Sequence, residues 1–365
     1  MTPEDLAAVR TTSELIKAAR QNLDRNDWDY VIGGGESETT LLRNRQSLDE
    51  IAFRPRVLND VGSISLRRDI LGAEARLPIF LAPIGGLNRL VPEGATAPLR
   101  AAQTFGVPGI LSSVTQPEFG EIRSQVSSPL IYQIYIHGDE AWVNDRLDAV
   151  TEAGYTAFCV TVDTAQYGRR ERDLIKHYNP RAHNRAVRRE APHQSSFDWS
   201  CLARLRERCR IPFVLKGVAT AEDAKLAVDH GIDVVYVSNH GGRQLDHGRG
   251  AIEVLPEVVD AVSGRAVVYM DGGIMRGTDV LKAIALGADA VGIGKLYALA
   301  LSGAGEDGVV KMLELIEEEM LNAMANLGAS DLGQLSASHL HPANAVRPPG
   351  VFSAFPLIDI ADPPY

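Results

Sequence analysis

Three stretches decide the fold: AVTEAGYTAFCVTV at residues 149–162, LAVDHGIDVVYVSN at 226–239 and AIALGADAVGIG at 283–294. Each passes from the end of a helical pattern, through a glycine, into a run rich in β-branched or small apolar residues. Gly154, Gly231 and Gly287 hold the same place in the three copies. Glycine belongs there because it ends a helix in the left-handed conformation without steric cost. The alternation continues on either side. Further runs begin at Ile79 (IFLAP), Pro108 (PGILSS), Leu130 (LIYQIYI), Pro212 (PFVLKG) and Ala266 (AVVYMDG), making eight in all. Most are apolar almost throughout, as strands buried on both faces must be. Between them lie helical patterns. Thr220 can cap one, with Asp223 three residues on, and Gly231 stands where that helix should end. Eight strand–helix units predict an α/β fold, a closed (β/α)8 TIM barrel rather than an open doubly wound sheet.

At 365 residues the chain accommodates one such barrel with extensions. We expect a helical lead-in and connecting segment over 1–78, the barrel over 79–337, and a Pro-rich tail over 338–365 extended across a surface. The connection 167–197 after the fourth strand is too long for a plain crossover, and reads as an excursion or a lid. With 37 basic and 47 acidic residues the net charge is -10, which argues against a nucleic-acid partner. Cys159, Cys201 and Cys209 lack CxxC spacing, so no metal site is expected. The N-terminus MTPEDLAAVR has acids where a signal peptide needs bases. The most apolar stretch, 280–301, is interrupted by Lys282, Asp289 and Lys295. No membrane span is expected, and a cytoplasmic location is.

In such a barrel the reactive groups gather where strands end. Polar residues fall there: Ser112 and Ser113 on the second strand, Gln133 and Tyr135 on the third, Thr161 and Asp163 on the fourth with Arg170 close behind. Lys216 ends the fifth strand. Ser238, Asn239, His240 and Arg243 follow the sixth, Asp271 to Gly273 the seventh, and Gly294 and Lys295 the eighth. The other histidines, including His137, His177, His183 and His230, are expected at the surface.

The blocks SNHGGRQLD, VLKGVATAEDA, TVDTAQYGRRERD, DGGIMRGTDV and FRPRVLNDV resemble the FMN-dependent 2-hydroxy acid oxidase and dehydrogenase family, from about Tyr30 to about Leu327. The resemblance implies bound FMN and oxidation of a 2-hydroxy acid to a 2-oxo acid. O2 or another acceptor would then reoxidise the flavin. It also implies a homo-oligomer, a tetramer. It makes His240 the base, Asp163 its partner, and Arg243 and Arg170 the carboxylate clamp. Tyr30 and Tyr135 become pocket tyrosines, and Lys216 the lysine beside flavin N1. Flavin contacts fall to Ala82, Pro83, Ile84, Gly85, Ser112, Gln133, Thr161 and Ser238. Asp271, Gly273, Gly294 and Lys295 fall near the ribityl chain and phosphate.

The chemistry accounts for these residue types. A neutral imidazole accepts a proton near pH 7, a carboxylate fixes its tautomer, and guanidinium grips a carboxylate bidentately. A fixed ammonium favours flavin reduction, which gathers negative charge. Four positions depart from the family. Val114 stands where many members have an aromatic residue, and Gly85 where small-substrate members have Ala. Both predict a roomier pocket and a bulky, mandelate-like substrate, or handling of oxygen like that of lactate monooxygenase, with oxidative decarboxylation. Met275 and Lys295 replace two arginines at the phosphate. One rival reading is a Schiff-base aldolase using Lys216; another is a barrel that binds ligand without turnover.

Overall fold

A computed structural model describes residues 1–178 and 192–357. The eight runs form the eight strands of a closed parallel barrel: β1 Ile79–Leu81, β2 Gly109–Ser112, β3 Leu130–Ile134, β4 Ala157–Thr161, β5 Phe213–Val218, β6 Val234–Val237, β7 Val267–Met270 and β8 Ala290–Ile293. Their order round the barrel is the sequence order, and β8 closes on β1 through Val291 to Ile293 against Ile79 to Leu81. The repeated glycines do what the echo predicts: Gly154, Gly231 and Gly287 have φ of 83°, 72° and 101°. Thr220 caps the helix Ala221–Asp229, its hydroxyl accepting from the Asp223 amide at 3.2 Å.

Two cores result from strand alternation. One face of each strand packs against the outer helices. The other fills the barrel with Phe80, Ile110, Ile131, Cys159, Val214, Tyr236 and Tyr269. Two residues further on, the same inward phase delivers Ala82, Ser112, Gln133, Thr161, Lys216, Ser238 and Asp271. The apolar plug therefore ends in a polar ring at the C-terminal mouth, and period-2 geometry alone places it there. A hairpin of Arg68–Ile70 and Ala73–Ala75 brings Ile70 and Ala75 into the interior cluster.

Before the barrel come four helices, Pro3–Ala8, Thr12–Asn22, Arg25–Ile32 and Thr39–Asp49. Asp24 caps the third, accepting from the Asp27 amide at 2.8 Å. The tail, expected to extend across a surface, makes specific contacts there. Leu340–Pro342 forms an antiparallel pair with Ile51–Phe53. Further on, Phe352 packs 5.6 Å from the Trp28 ring and Phe355 is buried beneath the Arg276 guanidinium. Apolar residues among the prolines explain these contacts, because Phe352 and Phe355 have somewhere dry to go. Of the connection after β4, Glu171–Ile175 and Pro192–Ser195 are helical. Positions 179–191, with His183, and 358–365 lie outside the described residues.

Candidate active site

A cavity of about 1370 Å³ opens at the barrel mouth. That exceeds the roughly 300–1,000 Å³ of a single-ligand pocket and has room for a cofactor with a substrate. Its lining includes Tyr30, Ala82 to Gly85, Ser112, Val114, Tyr135, Arg170, Lys216, His240, Arg243, Asp271, Gly273, Gly294 and Lys295. Gln133, Thr161, Asp163 and Ser238 stand behind that wall and hold it.

His240 opens the turn after β6 in a left-handed conformation, φ 59°, followed by Gly241 and Gly242 at 65° and 75°. The Ser238 hydroxyl accepts from the His240 amide at 3.1 Å. At Gly242 a Cβ would lie 2.4 Å from the Leu41 amide nitrogen, so the turn docks onto the lead-in only as glycine. The imidazole is thus aimed across the mouth. Its Nδ1 donates to Asp163 Oδ1 at 3.0 Å, and its Nε2 accepts from the Tyr135 hydroxyl at 3.3 Å. Burial, with Lys216 and Arg170 nearby, lowers the His240 pKa below its ordinary value despite Asp163. Burial alone would raise Asp163, but His240 and Lys216 hold it below the usual carboxylate range. The pair is a neutral imidazole on an ionised carboxylate.

Lys216 is buried, donating to the Ser238 hydroxyl at 2.8 Å with Asp271 at 3.6 Å. Burial pushes its pKa down, yet Asp271 and Asp163 outweigh it and the net shift is upward. A Schiff-base lysine must lose its proton easily; the ion pair with Asp271 holds the proton on this one, which speaks against the aldolase reading. Asp271 itself accepts from Ser238 at 2.6 Å and from the Tyr236 hydroxyl at 2.7 Å.

Two guanidiniums face the cavity. Arg243 donates to the Gly33 carbonyl at 2.9 Å, and burial with Arg170 nearby lowers its pKa to about 10, still a cation at pH 7. Among the described residues, the buried Nε and Nη1 groups of Arg170 have no acceptor. Both sit near the Tyr30 ring, at 5.2 and 5.7 Å from its centroid. Buried N–H groups are rarely left unpaired unless a ligand completes them.

The residues present fit a flavin. Gln133 donates to Thr161 at 2.8 Å and leaves its buried Oε1 unused, an acceptor for a ring N–H at the mouth. Lys216 supplies a fixed positive charge at the same level. The glycines after β7 and β8 offer main chain at the opposite side of the mouth, where a helix beginning at Lys295 points its N-terminus.

Comparison with known proteins decides the class. The family described as "FMN-dependent dehydrogenase" matches residues 19–342. The chain belongs to this FMN-dependent 2-hydroxy acid oxidase and dehydrogenase family. Glycolate oxidase of Spinacia oleracea is 36% identical over 352 residues, covering 91% of this chain and 95% of its own. L-lactate dehydrogenase of Caulobacter sp. strain K31 is also 36% identical, covering 91% and 98%. Among solved structures, a soluble mutant of the membrane-associated (S)-mandelate dehydrogenase from Pseudomonas putida superposes with a TM-score of 0.86 at 30% identity, over 92% of this chain and 99% of that one. A mandelate oxidase reaches 38% identity and 0.85, over 93% and 100%. The enzyme is an FMN-dependent oxidoreductase acting on 2-hydroxy acids. No helix among its described residues is long and apolar enough to cross a membrane.

Several residues depart from expectation. Lys295, expected at the phosphate, donates to the Val31 and Ile32 carbonyls at 2.7 Å each, capping the helix Arg25–Ile32. The space expected from Gly85 is taken: a Cβ there would lie 2.6 Å from Val114 Cγ2, so the valine leans into the glycine's gap. The Tyr30 hydroxyl donates to the Gly85 carbonyl at 2.7 Å. His137, expected at the surface, is half-buried and lines the cavity beside Tyr135. Sequence reading missed Tyr236, although it lies two residues before Ser238 on the inward face of β6. It also missed Arg45, whose guanidinium is held by Asp279 at 2.7 and 2.8 Å and borders the cavity. The only signal for Arg45 was its place in the lead-in helix, which gives no hint of a partner over two hundred positions away.

Proposed function

We propose that His240 is the base of the reaction, that Arg170 and Arg243 hold the substrate carboxylate, and that the favoured substrates carry an extended or aromatic 2-substituent. The observation that carries the first two assignments is the line Asp163–His240–Tyr135, facing the same cavity as the unpaired N–H groups of Arg170. A carboxylate would complete Arg170 and complement Arg243, placing the adjacent carbinol within reach of the mouth. Tyr135 at 3.3 Å from Nε2 would orient the substrate hydroxyl against the imidazole. Nε2 then takes the proton, and Asp163 stabilises the imidazolium as it forms. FMN, when bound, accepts the two electrons. Lys216 stays charged beside it and favours that acceptance electrostatically. The cavity's extent past Tyr135, to His137 and Trp142, supports the larger substituent.

The test is anaerobic flavin bleaching by glycolate, lactate and mandelate, with kcat/KM for each. Mandelate ahead of glycolate supports the substrate assignment, and the reverse order overturns it. Loss of bleaching in Arg170→Met and Arg243→Met, with the flavin spectrum retained, supports the clamp. Exposing the bleached enzyme to O2 and, separately, to a quinone identifies the acceptor.

A further inference from the structure

Beyond the catalytic line, the cavity wall continues as a row of rings. Tyr135 lies 6.2 Å from His240, His137 6.0 Å from Tyr135, and Trp142 6.3 Å from His137. At the far end stands Arg146. Its guanidinium carbon is 5.2 Å from the Phe119 centroid and 5.7 Å from the Trp142 ring. These side chains all line the one cavity that holds His240 and Arg170.

The local sequence builds this lobe deliberately. Asp139 caps the helix Glu140–Glu152, accepting from the Trp142 amide at 2.9 Å. Trp142 and Arg146 are one turn apart and share a face. At Gly138 a Cβ would lie 2.5 Å from Trp142 Cβ and Cγ, so the indole lies directly on the loop backbone. Arg146 is half-buried and forms no ion pair among the described residues. Its polar neighbour is the Tyr132 hydroxyl, and Glu118, exposed at the cavity's edge, is not within ion-pair distance.

A guanidinium flanked by two aromatic faces, partly stripped of water and without a carboxylate, is a recognition group. We propose that this lobe is a second anion subsite, and that the enzyme selects 2-hydroxy acids whose side chain ends in a second carboxylate. The inference rests on the reading of His240, Arg170 and Arg243 as the oxidation site. The 2-hydroxy carboxylate sits at the two arginines, the spacer runs along Tyr135, His137 and Trp142, and the distal carboxylate meets the Arg146 fork. An uncharged substituent enters the same space but brings the guanidinium no anion, which is how a polar site discriminates.

The experiment compares holoenzyme kcat/KM for anaerobic flavin reduction by aliphatic 2-hydroxy diacids of increasing length, up to chains that span the row from His240 to Arg146, beside their monoacid counterparts. A charge-assisted pair predicts a preference for the diacid of about tenfold to a hundredfold. Arg146→Met should collapse that ratio. Being internal, the ratio is insensitive to how much mutant folds. In the wild type the preference should shrink with added salt, a second reading that needs no mutant. Equal efficiency of the members of each pair, or a ratio unmoved by Arg146→Met, overturns the inference and leaves the oxidation site standing. If no 2-hydroxy acid bleaches the flavin, the parent reading fails and takes this one with it.

Discussion

At the residue, the role proposed for His240 requires a neutral imidazole. Burial, Lys216 and Arg170 lower its pKa, and Asp163 is the partner that raises it. The base form is fully present above that lowered value and is lost as pH falls through it. The acid limb of kcat/KM should therefore lie below the ordinary histidine value of about 6.5. Asp163→Asn removes the raising partner, so the limb should move to still lower pH while the rate on the plateau falls; a limb displaced upward would contradict the pairing. His240→Ala should slow anaerobic flavin reduction by about 10² to 10⁴ with the flavin spectrum preserved. These groups were legible in the sequence because SNHGGRQ and TVDT pack several reactive types into a few positions. Lys295 and Val114 were not. The direction of a lysine, and the neighbour of a missing Cβ, depend on segments far away in the chain.

Among the elements, the joint between the helix Arg25–Ile32 and the segment after β4 ties together two segments that line the cavity. Asp29 is almost wholly buried and receives Arg172 at 3.2 Å and Lys176 at 2.6 Å. Arg172 also grips Glu38 through two nitrogens, at 2.7 and 2.9 Å. Tyr30 follows Asp29 directly, and Arg170 sits two residues before Arg172, so one buried carboxylate sets the spacing of two cavity-lining side chains. Asp29→Asn should raise KM for every 2-hydroxy acid by about tenfold with a smaller change at saturation, the pattern of lost uniform binding. An unchanged KM would make the joint purely structural. Removing one partner of a buried ion pair also costs on the order of 3–5 kcal/mol of stability. At β1 and β2, Gly85→Ala alone should perturb the flavin spectrum, because its Cβ meets Val114 at 2.6 Å; adding Val114→Ala should restore it. The strands themselves were readable, since eight near-continuous apolar runs leave little choice. The joint was not, because its charges look like any solvated surface until the two segments meet.

Over the whole molecule, the tail and the lead-in both close on the mouth. Phe355→Ala should lower stability by about 3 kcal/mol, the cost of emptying a buried aromatic site, measurable by chemical denaturation; no change would mean the tail is dispensable. In the proposed mechanism the barrel supplies the base, its carboxylate and the lysine. Much of what touches the substrate's remainder comes from outside the strands. Tyr30 arrives on an N-terminal helix whose last carbonyls are held by Lys295, while Val31 and Gly33 are bound in turn by Arg243. That arrangement makes the lead-in a transplantable cassette. Exchanged between relatives together with the partners of its last turn, it should carry substrate preference with it, while the same exchange made without Lys295 should leave a barrel that still takes up flavin but no longer discriminates between acids.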